Sequence, residues 1–208
     1  MSWLVAAIYD RLMRASEKAC LNQWRAELLQ DLRGEVLEVG AGTGVNLPHY
    51  PKAVGRLVVS EPDRHMRRRL QARCGPSELC QVEVSDASLE GLPMAPVSFD
   101  AVVSTLVLCS VQDLHAALAE AFRVLRPGGC FVFLEHVAAA ANPRRLKWQH
   151  RIEPLWKRLA GNCHLTRRTE EAIITAGFAI ERIQRASIRK AMPIVRPSIR
   201  GVARKPQF

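Results

Sequence analysis

Apolar residues along this chain fall into two alternating patterns, short valine-rich runs and longer stretches with helical spacing. Glu35–Val39 reads EVLEV and ends on glycine, the form of a buried strand. RLVVSEP, from Arg56 to Pro62, repeats that form and ends on an acid. CQVEVSD from Cys80, FDAVVSTLVL from Phe99 and CFVFLEHV from Cys130 predict three further strands. DRHMRRRLQARC, between the second and third strands, has no internal glycine or proline, and Asp63 is placed to cap it as a helix. DLHAALAEAFRVLRPGG puts Leu114, Leu118, Ala121, Phe122 and Leu125 on one helical face and predicts a stop at Pro127-Gly128-Gly129. WLVAAIYDRLM near the start reads as an amphipathic helix packed on the domain, with a weak membrane touch as the alternative.

Repeated strand–helix units imply an α/β fold, a mostly parallel sheet with helices on both faces. Such sheets bind ligands at the carboxyl ends of their strands, beside the point where strand order reverses. The stretch GEVLEVGAGTGVNLPHYP, Gly34–Pro51, belongs at that point. Gly40, Gly42 and Gly44 alternate there, with Glu38 two residues ahead. The dinucleotide fingerprint would need glycine where Val45 stands, and a phosphate loop would need Lys and Ser/Thr after the last glycine. The turn therefore suits a ligand without phosphates. Glu61, at the end of the second strand, is placed to accept hydrogen bonds from both hydroxyls of a ribose.

These residues resemble motif I of the class I S-adenosylmethionine-dependent methyltransferases, E/D-x-G-x-G-x-G. The resemblance continues through Glu61, the Asp86-Ala87 pair, FDAVVSTLVLCSV and RVLRPGG, over about residues 34–137 and in the expected order. It implies a Rossmann-like seven-stranded sheet with an antiparallel last strand, closed by GFAIERIQRA and IRGVARK as a hairpin. It also implies one domain over residues 1–208, with residues 1–33 as a helical cap, 34–137 as the cofactor-binding core, and 138–208 as substrate-covering helices and hairpin. S-adenosyl-L-methionine is the implied cofactor, becoming S-adenosyl-L-homocysteine. By resemblance, Gly40, Ala41, Gly42 and Gly44 pass under its methionine part and ribose, and Glu61-Pro62 meets the ribose. Met66 covers the adenine or packs its own helix. Asp86 meets the adenine amino group and the Ala87 backbone a ring nitrogen. Ser104, Thr105 and Leu106 line the methionine end, and Glu38 orders the loop or meets the ammonium indirectly.

TLVLCSV, RVLRPGG, EHVAA and CHLTR are similar to the methyltransferase-like-seven group, which includes membrane-associated alkyl thiol S-methyltransferases of animals. This resemblance implies a small, apolar acceptor, a thiol in the first instance. Carbon methylation of quinones and oxygen methylation of natural products are the alternatives among relatives. The animal members carry a long apolar N-terminal anchor. No such segment precedes Gly34 here, so membrane residence is not carried over.

Candidate chemistry beyond the cofactor is sparse. His136, ending the fifth strand, could remove a proton at neutral pH, or could hold the next loop by hydrogen bonds. Glu135 faces the other side of that strand. His164 is a second candidate on the acceptor side. PRRLKWQHRIEPLWKRLA, residues 143–160, puts Trp148, Ile152, Leu155, Trp156 and Leu159 on one side of a helix that Pro154 should kink or split. An aromatic lid over the acceptor, packing on the sheet, and contact with anionic membrane are its three readings. The six cysteines, Cys20, Cys74, Cys80, Cys109, Cys130 and Cys163, show no C-x-x-C pair and no matching histidine spacing. Neither zinc nor disulfides are expected, and Cys109 and Cys163 read as packing residues.

Charge adds one fact. Residues 140–208 carry 16 Lys and Arg against 4 Asp and Glu, while residues 1–139 carry 14 against 16. The basic C-terminal third could meet lipid headgroups or be a solvated surface. Nucleic acid is disfavoured: aromatic residues are only 6% of the chain, no binding module is recognisable, and STLVLCSV stands where amino-group methyltransferases carry N-P-P-Y. With no apolar run near the roughly 20 residues that span a bilayer, and no secretory signal pattern, a cytoplasmic enzyme is expected.

Overall fold

A computed structural model describes residues 3–74 and 81–207, with side chains from Tyr9 onward. Cys80 and the apolar side chains of Trp3–Ile8 lie outside the described residues. Helices α1 (Trp3–Ser16) and α2 (Asn22–Leu29) are joined through a π-helical turn at Glu17–Leu21. Then follow β1 (Gly34–Val39), β2 (Val54–Ser60), α3 (Arg64–Arg73), β3 (Gln81–Ser85), β4 (Phe99–Thr105) and α4 (Leu114–Val124). The chain continues with β5 (Leu125–His136), α5 (Pro143–Leu159), α6 (Thr169–Thr175), β6 (Ala179–Ser187) and β7 (Pro197–Arg204).

The seven strands form one sheet in the order β3-β2-β1-β4-β5-β7-β6. Strands β1 to β5 pair parallel, while β7 runs antiparallel to both β5 and β6. Strand order reverses between β1 and β4, so their carboxyl ends open the crevice in which doubly wound sheets bind ligands. Alternation along the strands builds a core on each face. Leu37, Val39, Val58, Val102, Phe131 and Phe133 pack on one side, and Val36, Leu57, Val59, Ala101, Val103, Val132 and Leu134 on the other.

The aspartate cap expected on α3 is present, and α4 carries a second, unexpected one. Asp63 accepts from the His65 and Met66 N–H groups, and Asp113 from those of His115 and Ala116. The end of α4 differs from expectation. The helix stops at Val124, and Leu125 already begins β5, so Pro127-Gly128-Gly129 lies within the strand. The residue before a proline is pushed to extended backbone. The ladder absorbs the proline at an irregularity, Phe99 pairing with Leu125 but Ala101 with Cys130.

Pro154 does not split α5, which runs unbroken across it. Pro154 and His150 are both exposed, so water can satisfy the His150 carbonyl that loses its donor. The buried side of α5 is also more polar than its spacing suggested. Gln149, fully buried, accepts from Ala139 N–H and donates to the carbonyls of Val137 and Ile194. Glu153 accepts from the N–H groups of Leu165 and Thr166 and from the Thr166 hydroxyl. These bonds clamp α5 to its flanking loops, and Trp148, Leu155 and Leu159 are left 58–71% exposed.

Candidate active site

The loop after β1 is shaped by backbone that side chains rarely allow. Gly40, Gly42 and Gly44 all have positive φ. A Cβ on Gly40 would lie 2.6 Å from Val107 Cγ2, so that glycine also admits close packing. A Cβ on Gly42 would meet nothing within 4 Å. Bare backbone with open space above it is what a ligand lying against the loop requires.

The opening is edged by Glu61, which follows β2. Its Oε2 accepts from Gly42 N–H at 2.8 Å and its Oε1 from Asp63 N–H at 2.9 Å. Burial pushes this carboxyl up, while the two amide donors pull the other way. Asp63 fixes the turn into α3, whose first turn holds Met66, 2% exposed yet in neither core cluster. Pro62 is exposed, as is Asp86 past β3, and Ala87 N–H donates to Ser85 Oγ at 3.2 Å.

Beneath the loop lies a buried polar network. Glu38 accepts from Asn46 Nδ2 and the Tyr50 hydroxyl, both at 2.8 Å. Burial pushes Glu38 up to about 7 against those two hydrogen bonds. Asn46 also accepts from Arg25 and donates to Thr105 Oγ1. Arg25, 3% exposed, further donates to Thr105 Oγ1 and to both carboxylate oxygens of Glu17 across the π-helical turn. One cation thus ties the N-terminal helices to the loop after β1 and to the carboxyl end of β4. Nothing in the sequence singled out Arg25, because a lone arginine in a helix reads as a solvated surface. Asn46 and Tyr50 stood inside the glycine stretch but carried no motif of their own.

The loop after β4 holds the opposite wall. Ser104 donates to Glu135 Oε1 at 2.9 Å, and Val107 N–H reaches the same oxygen at 3.1 Å. Leu106 has φ of +61°, a strained value for a bulky residue. Glu135 therefore shapes this loop from within the sheet, as its alternation away from His136 requires.

His136 is buried, with Nε2 2.9 Å from Cys163 Sγ and Nδ1 without a partner among the described residues. Its hydrogen bond thus runs to a thiol in the loop after α5. The Cys109 sulfur and burial push the Cys163 thiol well above its ordinary value. His164 points elsewhere, its Nδ1 3.8 Å from Glu153 Oε1, and burial pushes it down. Trp156 is half-buried, its Nε1 without a hydrogen-bond partner among the described residues, whereas Trp148 is 58% exposed.

This arrangement fits S-adenosylmethionine: an open glycine backbone, a carboxylate beside it, and a structured loop at the switch point. A methyltransferase domain model matches residues 37–133. The chain is 35% identical to thiol S-methyltransferase TMT1A of Homo sapiens, over 95% of this chain and 82% of that protein. It is 34% identical to thiol S-methyltransferase TMT1B of Rattus norvegicus, over 86% and 73%. Among solved structures, an S-adenosylmethionine-dependent methyltransferase of Mesorhizobium loti superposes with TM-score 0.61 at 24% identity, covering 93% of this chain and 99% of that one. The chain belongs to the S-adenosylmethionine-dependent methyltransferases, in the family of the TMT1 thiol S-methyltransferases.

Proposed function

We propose that this enzyme methylates the sulfur of a small, apolar thiol, with its cofactor held by Gly40–Gly44, Glu61, Met66, Asp86, Ala87 and Ser104–Leu106. The open backbone of Gly42 beside the Glu61 carboxylate is the observation that carries the cofactor assignment. Identity to thiol S-methyltransferases over most of the chain supports the acceptor. When bound, S-adenosylmethionine supplies a methyl group already activated for transfer.

The protein's task is then mainly alignment, worth roughly 7–11 kcal/mol when reactants are held in line. Glu61 trades its backbone donors for ribose hydroxyls, and the network around Arg25 and Glu38 keeps the loop after β1 and the carboxyl end of β4 from drifting apart. A thiol with a reference pKa near 8.5 is a few per cent thiolate at neutral pH. Such an acceptor needs no strong base, which agrees with a site whose one buried imidazole, His136, faces another thiol. Carbon acids and alcohols would need more.

The test is methyl transfer from labelled S-adenosylmethionine to a small alkyl thiol, a quinol and bulk RNA in parallel. Turnover on the thiol alone supports the reading. Turnover on the quinol in its place discards the thiol.

A second reading concerns location. No helix among the described residues is long and apolar enough to cross a membrane. The exposed Trp148, Leu155 and Leu159 nonetheless share one stripe of α5, flanked by exposed Arg144, Lys147, Arg151 and Arg158. Apolar residues beside cations favour peripheral contact with anionic lipid. Co-sedimentation with phosphatidylserine vesicles that is lost in a Trp148→Ser, Leu155→Ser double variant supports this, and equal binding by the variant refutes it.

A further inference from the structure

Three chain segments bring sulfur and nitrogen donors to one point beside the site. Cys109 lies in the loop after β4, His136 ends β5, and Cys163 follows α5. All three are buried, and one donor atom from each lies within 4.8 Å of the others. Their sequence separations of 27 and 27 residues hide this convergence from any local motif.

We propose that Cys109, His136 and Cys163 form a binding site for a thiophilic divalent cation, zinc by the chemistry of its ligands. Two thiolates and one imidazole are a donor set that zinc favours, and their combined charge balances the ion. Tetrahedral zinc, with Zn–S about 2.3 Å and Zn–N about 2.0 Å, sets its sulfurs about 3.8 Å apart and sulfur from nitrogen about 3.5 Å apart. All donor atoms lie within 4.8 Å of one another, and the His136–Cys163 pair, now in contact at 2.9 Å, opens toward about 3.5 Å to admit the ion.

The surroundings hold the donors in place. Arg167 donates to the carbonyls of Leu108 and Val111, and Asn162 Nδ2 to those of Ser110 and Val111, gripping the Cys109 loop from the segment that carries Cys163. His164 N–H donates to the Cys109 carbonyl at 2.7 Å. Ordinary packing would be served as well by apolar side chains, and would not set a buried imidazole against two thiols with its Nδ1 lacking a hydrogen-bond partner among the described residues. Three protein ligands leave a fourth position for a small ligand, as catalytic zinc sites do. The site goes beyond the thiol reading, and metal uptake can be measured without any acceptor.

The experiment is anaerobic titration of the fully reduced enzyme with Co²⁺, followed by displacement with Zn²⁺. Expected are tetrahedral cobalt bands, a sulfur-to-cobalt charge-transfer band, and one cation per chain. Cys109→Ser and Cys163→Ser should each weaken the charge-transfer band and lower affinity at least about tenfold, the loss seen when even an outer partner is disturbed. Cys74→Ser should keep both bands. Circular dichroism and S-adenosylhomocysteine binding establish that each variant is folded. No charge-transfer band in the reduced enzyme, or one unchanged in Cys163→Ser, overturns the site. Loss of two thiols to a Cys109–Cys163 disulfide in air, with no cation taken up when reduced, also overturns it and makes the pair a redox couple.

Discussion

The Gly42 N–H donates to Glu61 Oε2 at 2.8 Å, which joins the loop after β1 to the acid after β2 in one unit. Ligand affinity at this point should depend on the charge of Glu61. Burial raises its carboxyl, so acidification neutralises it sooner than an exposed glutamate. S-adenosylhomocysteine affinity of the wild type should therefore fall as pH decreases. Glu61→Gln should bind more weakly at neutral pH and lack that fall. Calorimetry across the pH range checks both, and parallel pH profiles for the two proteins would remove Glu61 from the site.

Gly40 and Gly42 should separate by stability. At Gly42 an added Cβ meets open space, so Gly42→Ala bears only the strain of positive φ, about 1–2 kcal/mol. Gly40→Ala adds a collision with both Val107 methyl groups and should be clearly less stable. Urea denaturation of the two variants side by side measures the difference.

Arg25 should behave as a structural keystone. Truncation to methionine leaves Glu17 and Asn46 without their buried partner, and breaking such a pair costs about 3–5 kcal/mol. Arg25→Lys should recover only part of this, since an ammonium cannot reproduce the planar fork that reaches Glu17, Asn46 and Thr105 together. Equal stability of all three proteins in urea would contradict the network.

Much of this was legible from spacing alone. Strands β1 to β5, the Asp63 cap and the glycine turn rest on local rules that the structure obeys. The misses are where tertiary contacts override local preference. Pro127 enters β5 because β4 offers a place for the irregularity. Gln149 and Glu153 turn inward on α5 because loop backbone needs partners, and that leaves Trp148 outside. Arg25 and the Cys109–His136–Cys163 cluster are assembled from distant segments, so no window of sequence contains them.

Glu38 predicts a pH effect on stability. Its folded value of about 7 stands above the ordinary 4.5 because burial disfavours the charge. The protonated form is the favoured one in the fold. Its contribution is full below about pH 4.5 and is lost as pH rises through about 7, in all roughly 3 kcal/mol. Glu38→Gln should lose less stability than the wild type between pH 5 and pH 8. Identical slopes in denaturation would contradict the burial of a titrating carboxyl there.

The most direct measurement is a calorimetric titration of S-adenosylhomocysteine into the wild type and into Gly42→Val, both shown folded by circular dichroism. The account predicts one molecule bound per wild-type chain and binding abolished or greatly weakened in the variant, whose side chain fills the space over the glycine loop. No binding by the wild type, or equal binding by both proteins, would mean that the loop after β1 is only a turn.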